Sequence, residues 1–405
     1  MGFPSKLPIR VSMTGIAVVL LGCCLPAHAQ RVTSLDASID VSGGLNNYPV
    51  NTAAGESSHS EGFYSVSPSG TVTSRTARST LTFGYSLGWS HYGGNQQRNS
   101  TSHSFSLSWS RQMGPRWNMR VGEYYSMTSD IRTFYALRGL AVEDEAVVLY
   151  FYPVTTNSPI GTNSLSFSVD RKLSTKSSLS FGVSHSMGIY PDEIAFAGYS
   201  DLQTISWNGS YSRSLDDRTS WNVGYSGSYF SFDQFQSAIS SAVTVGVTRL
   251  VAKNTTFNIS AGPSRVNNLN FPGSNTTLTA SLSVSHKIKE NSFHFSLGNN
   301  NATTSGVGSV SSTRSVSAGV SRPLGRRMNV FGDFSAYDGT GIVGNPFNTR
   351  GMSATANLGY TLARNLSLQG GFTYQRYIRP APQAFGERRL FVSLRYSHPN
   401  LLRSR

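Results

Sequence analysis

The sequence predicts an all-β protein in which one large, antiparallel, up-and-down β-barrel spans a membrane. Two observations carry this prediction. Apolar and polar residues alternate with a period of two along nearly the whole chain, and short turns recur at a regular spacing between the alternating stretches. A period of two marks a strand with one apolar and one polar face. The elements are therefore strands that pair with their neighbours along the chain.

The alternation is clearest between residues 102 and 111. Serine occupies every even position there, and the odd positions hold His103, Phe105, Leu107, Trp109 and Arg111. The same pattern returns at residues 178–184 and 277–285. At residues 221–229 and 278–286 the alternation lasts about 9 residues, which is the length that a tilted strand needs to cross a bilayer.

The turns define a repeating unit. An apolar residue marks the start of successive turns about every 37 residues, at Leu215, Val251, Ile288, Leu324 and Leu362. A propeller blade has a similar period but needs four shorter strands. The unit here holds two long strands, one tight turn and one longer loop. Tracing it along the chain predicts about 18 strands, with 16 to 20 as the range. They lie near residues 32–43, 64–74, 79–91, 102–112, 117–128, 163–172, 177–186, 202–213, 219–230, 239–249, 255–262, 276–287, 292–298, 314–321, 328–337, 351–361, 365–375 and 388–398.

The two strand faces predict which side meets lipid. One face carries the aromatic and aliphatic residues, which fit a lipid-facing surface, although a β-sandwich core would also account for them. The other face is mostly Ser, Thr, Asn and Gly, which are too small to fill so wide a barrel, so a lumen that holds water follows. Strand parity places four charged residues on the lumen wall: Arg120, Asp170, Asp333 and Arg395. The same parity places Glu123 on the lipid face unless a bulge redirects it.

The first 29 residues have the three parts of a cleavable secretory signal. Lys6 and Arg10 precede an apolar run at residues 11–25, and Ala27-His28-Ala29 follows it. The run is too short for a membrane-spanning helix. We therefore expect one barrel domain at residues 30–405, beginning at Gln30.

A second possibility for the N-terminus remains open. Leu20-Leu21-Gly22-Cys23 resembles a lipoprotein signal, which would leave an acylated Cys23 at the new N-terminus. With cleavage before Gln30, both cysteines are removed, and neither a disulfide nor a cysteine metal site can form.

The charge balance is basic, at +14 with only 13% charged residues. Nucleic acid is excluded as a partner because the basic residues are not clustered with aromatics on one element. An anionic lipid or an anionic solute is the expected partner instead. The basic residues concentrate in the tight turns, where anionic lipid headgroups would attract them, and a solvated turn without a lipid site is the alternative. These turn residues include Arg116, Lys172, Lys176, Arg218, Lys253, Lys289, Arg326, Arg327 and Arg364.

The alternating strands, the signal and the tight turns together resemble bacterial outer-membrane β-barrels of porin-like size. The resemblance covers nearly the whole mature chain, although no short motif carries it. It implies short periplasmic turns, longer extracellular loops, outer-membrane lipids and the outer-membrane assembly machinery as partners. Such barrels often end in an aromatic residue. This chain ends in Arg405, with Tyr396 as a substitute on the last strand. The Ser- and Gly-rich repeats also resemble, more weakly, barrels associated with exopolysaccharide systems.

The sequence gives no sign of an enzyme. A Ser/His hydrolase needs both side chains within hydrogen-bond reach of each other. Ser-His-Ser occurs at residues 58–60, 102–104 and 184–186, but two of these histidines lie on the apolar face, away from the lumen. Phosphate-loop, zinc and calcium motifs do not stand out. We therefore expect no catalytic residues, no metal and no cofactor.

One segment breaks the pattern, the long loop predicted at residues 129–163. It contains Arg132 and Arg138, and then the acidic residues Glu143, Asp144 and Glu145. Loops of this length are often functional. Folded inward, it would form a lumen constriction with both signs of charge, whereas the alternative is an outward surface loop.

Two functions fit these predictions. The first is a porin-like channel for small hydrophilic solutes, because a wide polar lumen suits passive passage. The alternative is a non-conducting scaffold barrel in surface-polysaccharide export, with outer loops that bind sugar or protein partners.

Overall fold

A computed structural model describes residues 32–404 of the chain, apart from several loop segments. The segments outside the described residues are 53–54, 95–98, 129–149, 152–159, 190–200, 233–236, 270–272, 306–308, 344–347 and 379–384. The predicted signal at residues 1–29 also lies outside them. All of the regular secondary structure in the described part is β-strand. No helix in that part is long and apolar enough to cross a membrane.

The described residues form eighteen long strands and one two-residue strand, so the predicted count and the all-β class are confirmed. The strands are β1 (Val32–Thr52), β2 (Gly55–Arg75), β3 (Ser79–Tyr92), β4 (Ser100–Gln112), β5 (Trp117–Thr128), β6 (Tyr150–Phe151), β7 (Ile160–Lys172), β8 (Ser177–Ile189), β9 (Leu202–Ser214), β10 (Thr219–Phe232), β11 (Ala238–Ala252), β12 (Thr255–Asn268), β13 (Ser274–Ile288), β14 (Asn291–Ser305), β15 (Ser309–Leu324), β16 (Met328–Val343), β17 (Thr349–Ala363), β18 (Leu366–Ile378) and β19 (Phe385–Ser404).

The strands close into a barrel. Each long strand pairs antiparallel with the next along the chain, and β5 pairs directly with β7. The last strand, β19, pairs antiparallel with β1 over most of its length, which closes the sheet. A closed sheet pairs every strand with two neighbours and leaves no edge, which is the condition for crossing a membrane with strands.

Tight turns join the strands at one end of the barrel, which we call the turn end, and the opposite end is the loop end. Side chains cap several of these turns. Oδ1 of Asp216 accepts hydrogen bonds from the backbone N–H of Arg218 and of Thr219, both at 2.6 Å. The bond from Arg218 is the main cause that lowers the pKa of the Asp216 carboxyl. Lys289 and Gly325 take the positive φ values of 52° and 77° that their turns require.

Many strands continue further at the loop end than the alternation predicts. The first hairpin is paired from Val32↔Arg75 to Thr52↔Gly55, whereas the predicted strands stopped at residue 43 and began at residue 64. Ile160–Asn163, assigned to the long loop, belong to β7 instead. The backbone pairing of a hairpin extends past the point where the apolar alternation of a membrane span ends. Hydrophobic periodicity therefore underestimates strand length at this end.

Glu123 lies on the apolar face of β5, as strand parity predicts. It pairs in register with Leu107 of β4 and Leu165 of β7, and neither pairing shows a register shift, so the bulge considered for it is absent. The side-chain amide of Asn163 donates to Oε1 of Glu123 at 3.5 Å. This long hydrogen bond gives the carboxylate little compensation on a lipid-facing surface.

Replacing Glu123 with Gln should stabilise the barrel by about 1 kcal/mol, because a charge on the lipid face is removed while the amide can still bond Asn163. The measurement is urea-induced unfolding of the refolded protein in lipid vesicles. Asp170→Asn on the opposite face serves as the matched control and should change stability less. A Glu123→Gln barrel less stable than the wild type would contradict the assignment of this face to lipid.

Candidate functional site

The serine face of the sheet lines the inside of the barrel. Leu202, Phe230 and Val266 lie on this face of β9, β10 and β12. His294 on β14 and Asp333 on β16 also lie on it, and Nε2 of His294 is 3.0 Å from Oδ2 of Asp333 although β15 separates the two strands. Side chains that approach this closely across an intervening strand meet on the concave side of a closed sheet. The serine face is therefore the lumen wall, and the apolar face points outward.

The outer face is correspondingly apolar. Its large hydrophobic side chains remain exposed, among them Val41, Phe83, Tyr85, Phe181, Tyr225, Ile259, Phe295, Phe372 and Val392. In water such a continuous apolar surface would be unfavourable. A lipid environment removes that cost.

Paired serine hydroxyls cover much of the lumen wall. In the described part of the chain, nine cross-strand pairs are joined by an Oγ–Oγ hydrogen bond of 2.6 to 2.8 Å. The pairs are Ser38–Ser69, Ser42–Ser65, Ser86–Ser104, Ser178–Ser212, Ser180–Ser210, Ser206–Ser228, Ser260–Ser281, Ser296–Ser317 and Ser335–Ser353. Each pair uses one donor and keeps one donor and several acceptor positions for water or solute. The wall is therefore hydrophilic but uncharged over these regions.

All four charged residues predicted for the lumen wall lie on the serine face. Three of them lie near a residue of opposite charge, and Asp333 lies beside a histidine. A guanidinium nitrogen of Arg120 on β5 lies 3.7 Å from the Asp170 carboxylate on β7. Arg395 on β19 stands directly opposite Asp40 on β1 in the register. The sequence reasoning missed Asp40, although its parity in β1 would have found it.

The fourth charge, Asp333, pairs with a histidine across an intervening strand. Nε2 of His294 on β14 lies 3.0 Å from Oδ2 of Asp333 on β16, and Gly319 of β15 lies between them in the same row. A methyl group on Gly319 would overlap the His294 ring. Glycine at this position therefore allows the contact.

Removing both carboxylates, with Asp170→Asn and Asp333→Asn, should shift ion preference toward anions, because Arg120 then stands unopposed in the lumen. The measurement is the reversal potential in a KCl gradient across a planar bilayer. Arg120→Gln is the opposite control and should shift the preference toward cations. A double variant with an unchanged reversal potential would show that these groups do not line the ion path.

The loop end of the lumen carries further polar residues that the sequence reasoning missed. Asn46, Glu61 and Glu387 are buried on the inner face, and the Arg389 guanidinium lies 3.9 Å above the Phe63 ring. Glu61, Asn46 and Arg389 form one row across three neighbouring strands. Asn46, Glu61 and Glu387 lie beyond the ends of the predicted strands, so strand parity could not assign them to a face, whereas Arg389 lies within the predicted strand 388–398. The charge of this region is mixed.

The charged residues proposed to constrict the lumen lie outside the described residues: Arg132, Arg138, Glu143, Asp144 and Glu145. The connection between β5 and β7 nevertheless contains one described strand. Tyr150 and Phe151 form β6, whose backbone pairs in parallel with Thr304 and Ser305 of β14. Six strands separate β7 from β14 in the barrel order. The backbone between β5 and β7 therefore reaches the far side of the loop end before it returns.

No metal centre was predicted. Among the described residues, no three His, Cys, Asp or Glu side chains are grouped so that they could hold a metal ion.

Three solved structures are similar to this chain. The chain is similar to OccAB4 of Acinetobacter baumannii, with 11% identity, 92% of this chain and 100% of that chain covered, and a TM-score of 0.49. It is similar to OccK2 (OpdF) of Pseudomonas aeruginosa, with 12% identity, 90% and 98% covered and a TM-score of 0.47. A third is the outer membrane protein opdK of Pseudomonas aeruginosa, with 11% identity, 90% and 99% covered and a TM-score of 0.47. No protein-family model matches the chain, and no curated protein sequence matches it.

Proposed function

We propose that the chain is a porin-like channel in a bacterial outer membrane that passes small hydrophilic solutes. One observation carries this proposal: a closed barrel of eighteen long strands encloses a lumen walled by paired serine hydroxyls. Barrels of 16 to 18 strands leave an aqueous channel when small side chains line them. The apolar exterior supports a membrane location.

The lining favours uncharged or weakly charged solutes with many hydroxyl groups. Hydroxyl pairs offer donors and acceptors that replace water without the strong binding of a formal charge. Arg120 lies near the opposite charge of Asp170, and Arg395 faces the opposite charge of Asp40, so these two pairs add little net field. In the outer membrane we place the turn end of the barrel on the periplasmic side. The basic residues of the turns then lie at anionic phospholipid headgroups.

The test is passage through the purified, refolded barrel. We expect stepwise currents in planar bilayers and swelling of proteoliposomes in neutral sugars such as arabinose. Liposomes that contain the heat-denatured protein are the control. A correctly folded barrel that supports neither current nor swelling would favour the scaffold role in surface-polysaccharide export.

A further inference from the structure

The barrel wall folds inward at the loop end between β13 and β14. Pairing between these strands stops at Ala280↔Asn299, although β13 begins at Ser274 and β14 continues to Ser305. Each of the two strands stays paired with its other neighbour past this point: β13 with β12 as far as Asn267↔Ser274, and β14 with β15 as far as Thr304↔Ser309. The end of β14 has therefore left β13 but kept β15.

Asn301 shows which way β14 has moved. In the lower part of the strand, Phe295 and Leu297 are exposed on the outer face, and strict alternation would place Asn301 on that face as well. Its amide instead donates to Oγ of Ser264 on β12 at 2.7 Å, and its carbonyl accepts from the Thr277 hydroxyl on β13 at 3.1 Å. Ser264 and Thr277 both belong to the lumen face. The upper part of β14 therefore lies inside the barrel, against β12 and β13.

The next two strands follow β14 inward. Val310 of β15 is fully buried, and Ile342 of β16 packs against the same cluster. Both have the parity that faces outward lower in their strands, yet here they pack in one cluster with lumen-face residues, Val266 among them. A register shift at Val310/Ser311 leaves Ile342 as the extra residue of a bulge, which bends the pair.

This inward fold reduces the opening. Strands β12 and β16 come into contact although three strands separate them in the sheet. In a regular wall, four steps of about 4.8 Å would hold them about 19 Å apart. The ends of β14, β15 and β16, which we call the inner flap, therefore occupy part of the mouth.

The inner flap and the long connection form one structure. When β14 leaves β13, it exposes backbone groups that need new partners. Thr304 and Ser305 pair with β6, which comes from the connection between β5 and β7. The released edge is covered, at least at these residues, by a strand from the opposite wall.

We propose that the inner flap sets the size limit of the channel, and that Val310 and Ile342 are the residues that determine it. The inference rests on the proposed channel function. The two side chains pack in the apolar cluster that contains Leu202, Phe230, Ala238 and Val266. Burial of this apolar surface holds the flap in place. A charge introduced into this contact would have no compensation and would release the flap.

The test compares V310D/I342D with the wild type and with V310L, which keeps the contact apolar. Single-channel conductance of the released variant should rise roughly twofold, and larger neutral polymers should enter, because the opening widens. V310L should match the wild type. Folding is verified separately by circular dichroism and by gel mobility with and without boiling.

A cysteine pair provides a second readout. No cysteine occurs after residue 24, so Ser264→Cys and Asn301→Cys introduce the only two thiols of a mature chain. A short thiol crosslinker should join them, and crosslinking should return V310D/I342D to low conductance. If the wild type conducts and the folded V310D/I342D variant has the same conductance, the role of the flap is overturned and the channel function stands. Absence of current in the wild type and all variants would overturn the channel itself, and the size limit with it.

Discussion

Single-channel conductance should increase severalfold when residues 129–159 are replaced by a short Gly/Ser linker. The replacement removes the connection that crosses to β14, including its pairing with Thr304 and Ser305. Both β5 and β7 keep their full register, because their pairing begins at Thr128↔Ile160. The measurement is planar-bilayer recording of the refolded variant beside the wild type.

The charges of this segment should control selectivity. Glu143→Gln, Asp144→Asn and Glu145→Gln together should shift ion preference toward anions, because few charges decide the field in a narrow, low-dielectric opening. Arg132→Gln with Arg138→Gln is the control and should shift it toward cations. If the segment projects outward, neither the replacement nor the charge variants will move conductance or reversal potential.

The second large effect is expected at the closing seam of the barrel. Gly44 of β1 faces Phe391 of β19, and a methyl group on it would overlap the carbonyl oxygen of Leu390. The obstructing atoms belong to the backbone of the partner strand, so no side-chain rotation can relieve the overlap. Gly44→Ala should therefore prevent closure of β1 on β19 and abolish most of the folded, heat-modifiable form.

Gly70→Ala provides the matched control for the seam. Gly70 also lies in a long strand, β2, but an added methyl group would have its nearest atom, the Asp36 carbonyl oxygen, at 4.0 Å. This variant should refold with nearly the wild-type yield. Equal yields for Gly44→Ala and Gly70→Ala would contradict the close approach of β1 and β19.

The architecture was predictable because it depends on local pattern. Alternation in residues 102–111 identifies β4 and its two faces, and the same parity places Arg120 and Asp170 on the wall where their side chains meet. Tight turns near Leu215 and Leu324 set the repeat of two strands per unit. Each of these signals lies within a few residues of the feature it predicts.

The loop end was not predictable in the same way. Glu61 and Asn46 lie in strand extensions where the alternation of lipid-facing residues has ended, so hydrophobic periodicity predicts no strand there. Val310 and Ile342 have outward parity, and only their packing against β9–β12 reveals that they lie inside the barrel. The parallel pairing of β6 with β14 joins residues about 150 positions apart in the chain. Such non-local contacts leave no periodic mark in the sequence.

Planar-bilayer recording of the purified, refolded wild-type barrel tests the central claim most directly. The account predicts discrete conductance steps, at a level below that of an unobstructed eighteen-strand barrel, that increase in V310D/I342D and in the variant lacking residues 129–159. If the wild type and both variants are folded but pass no current, the result would contradict a water-filled lumen with a narrowed mouth.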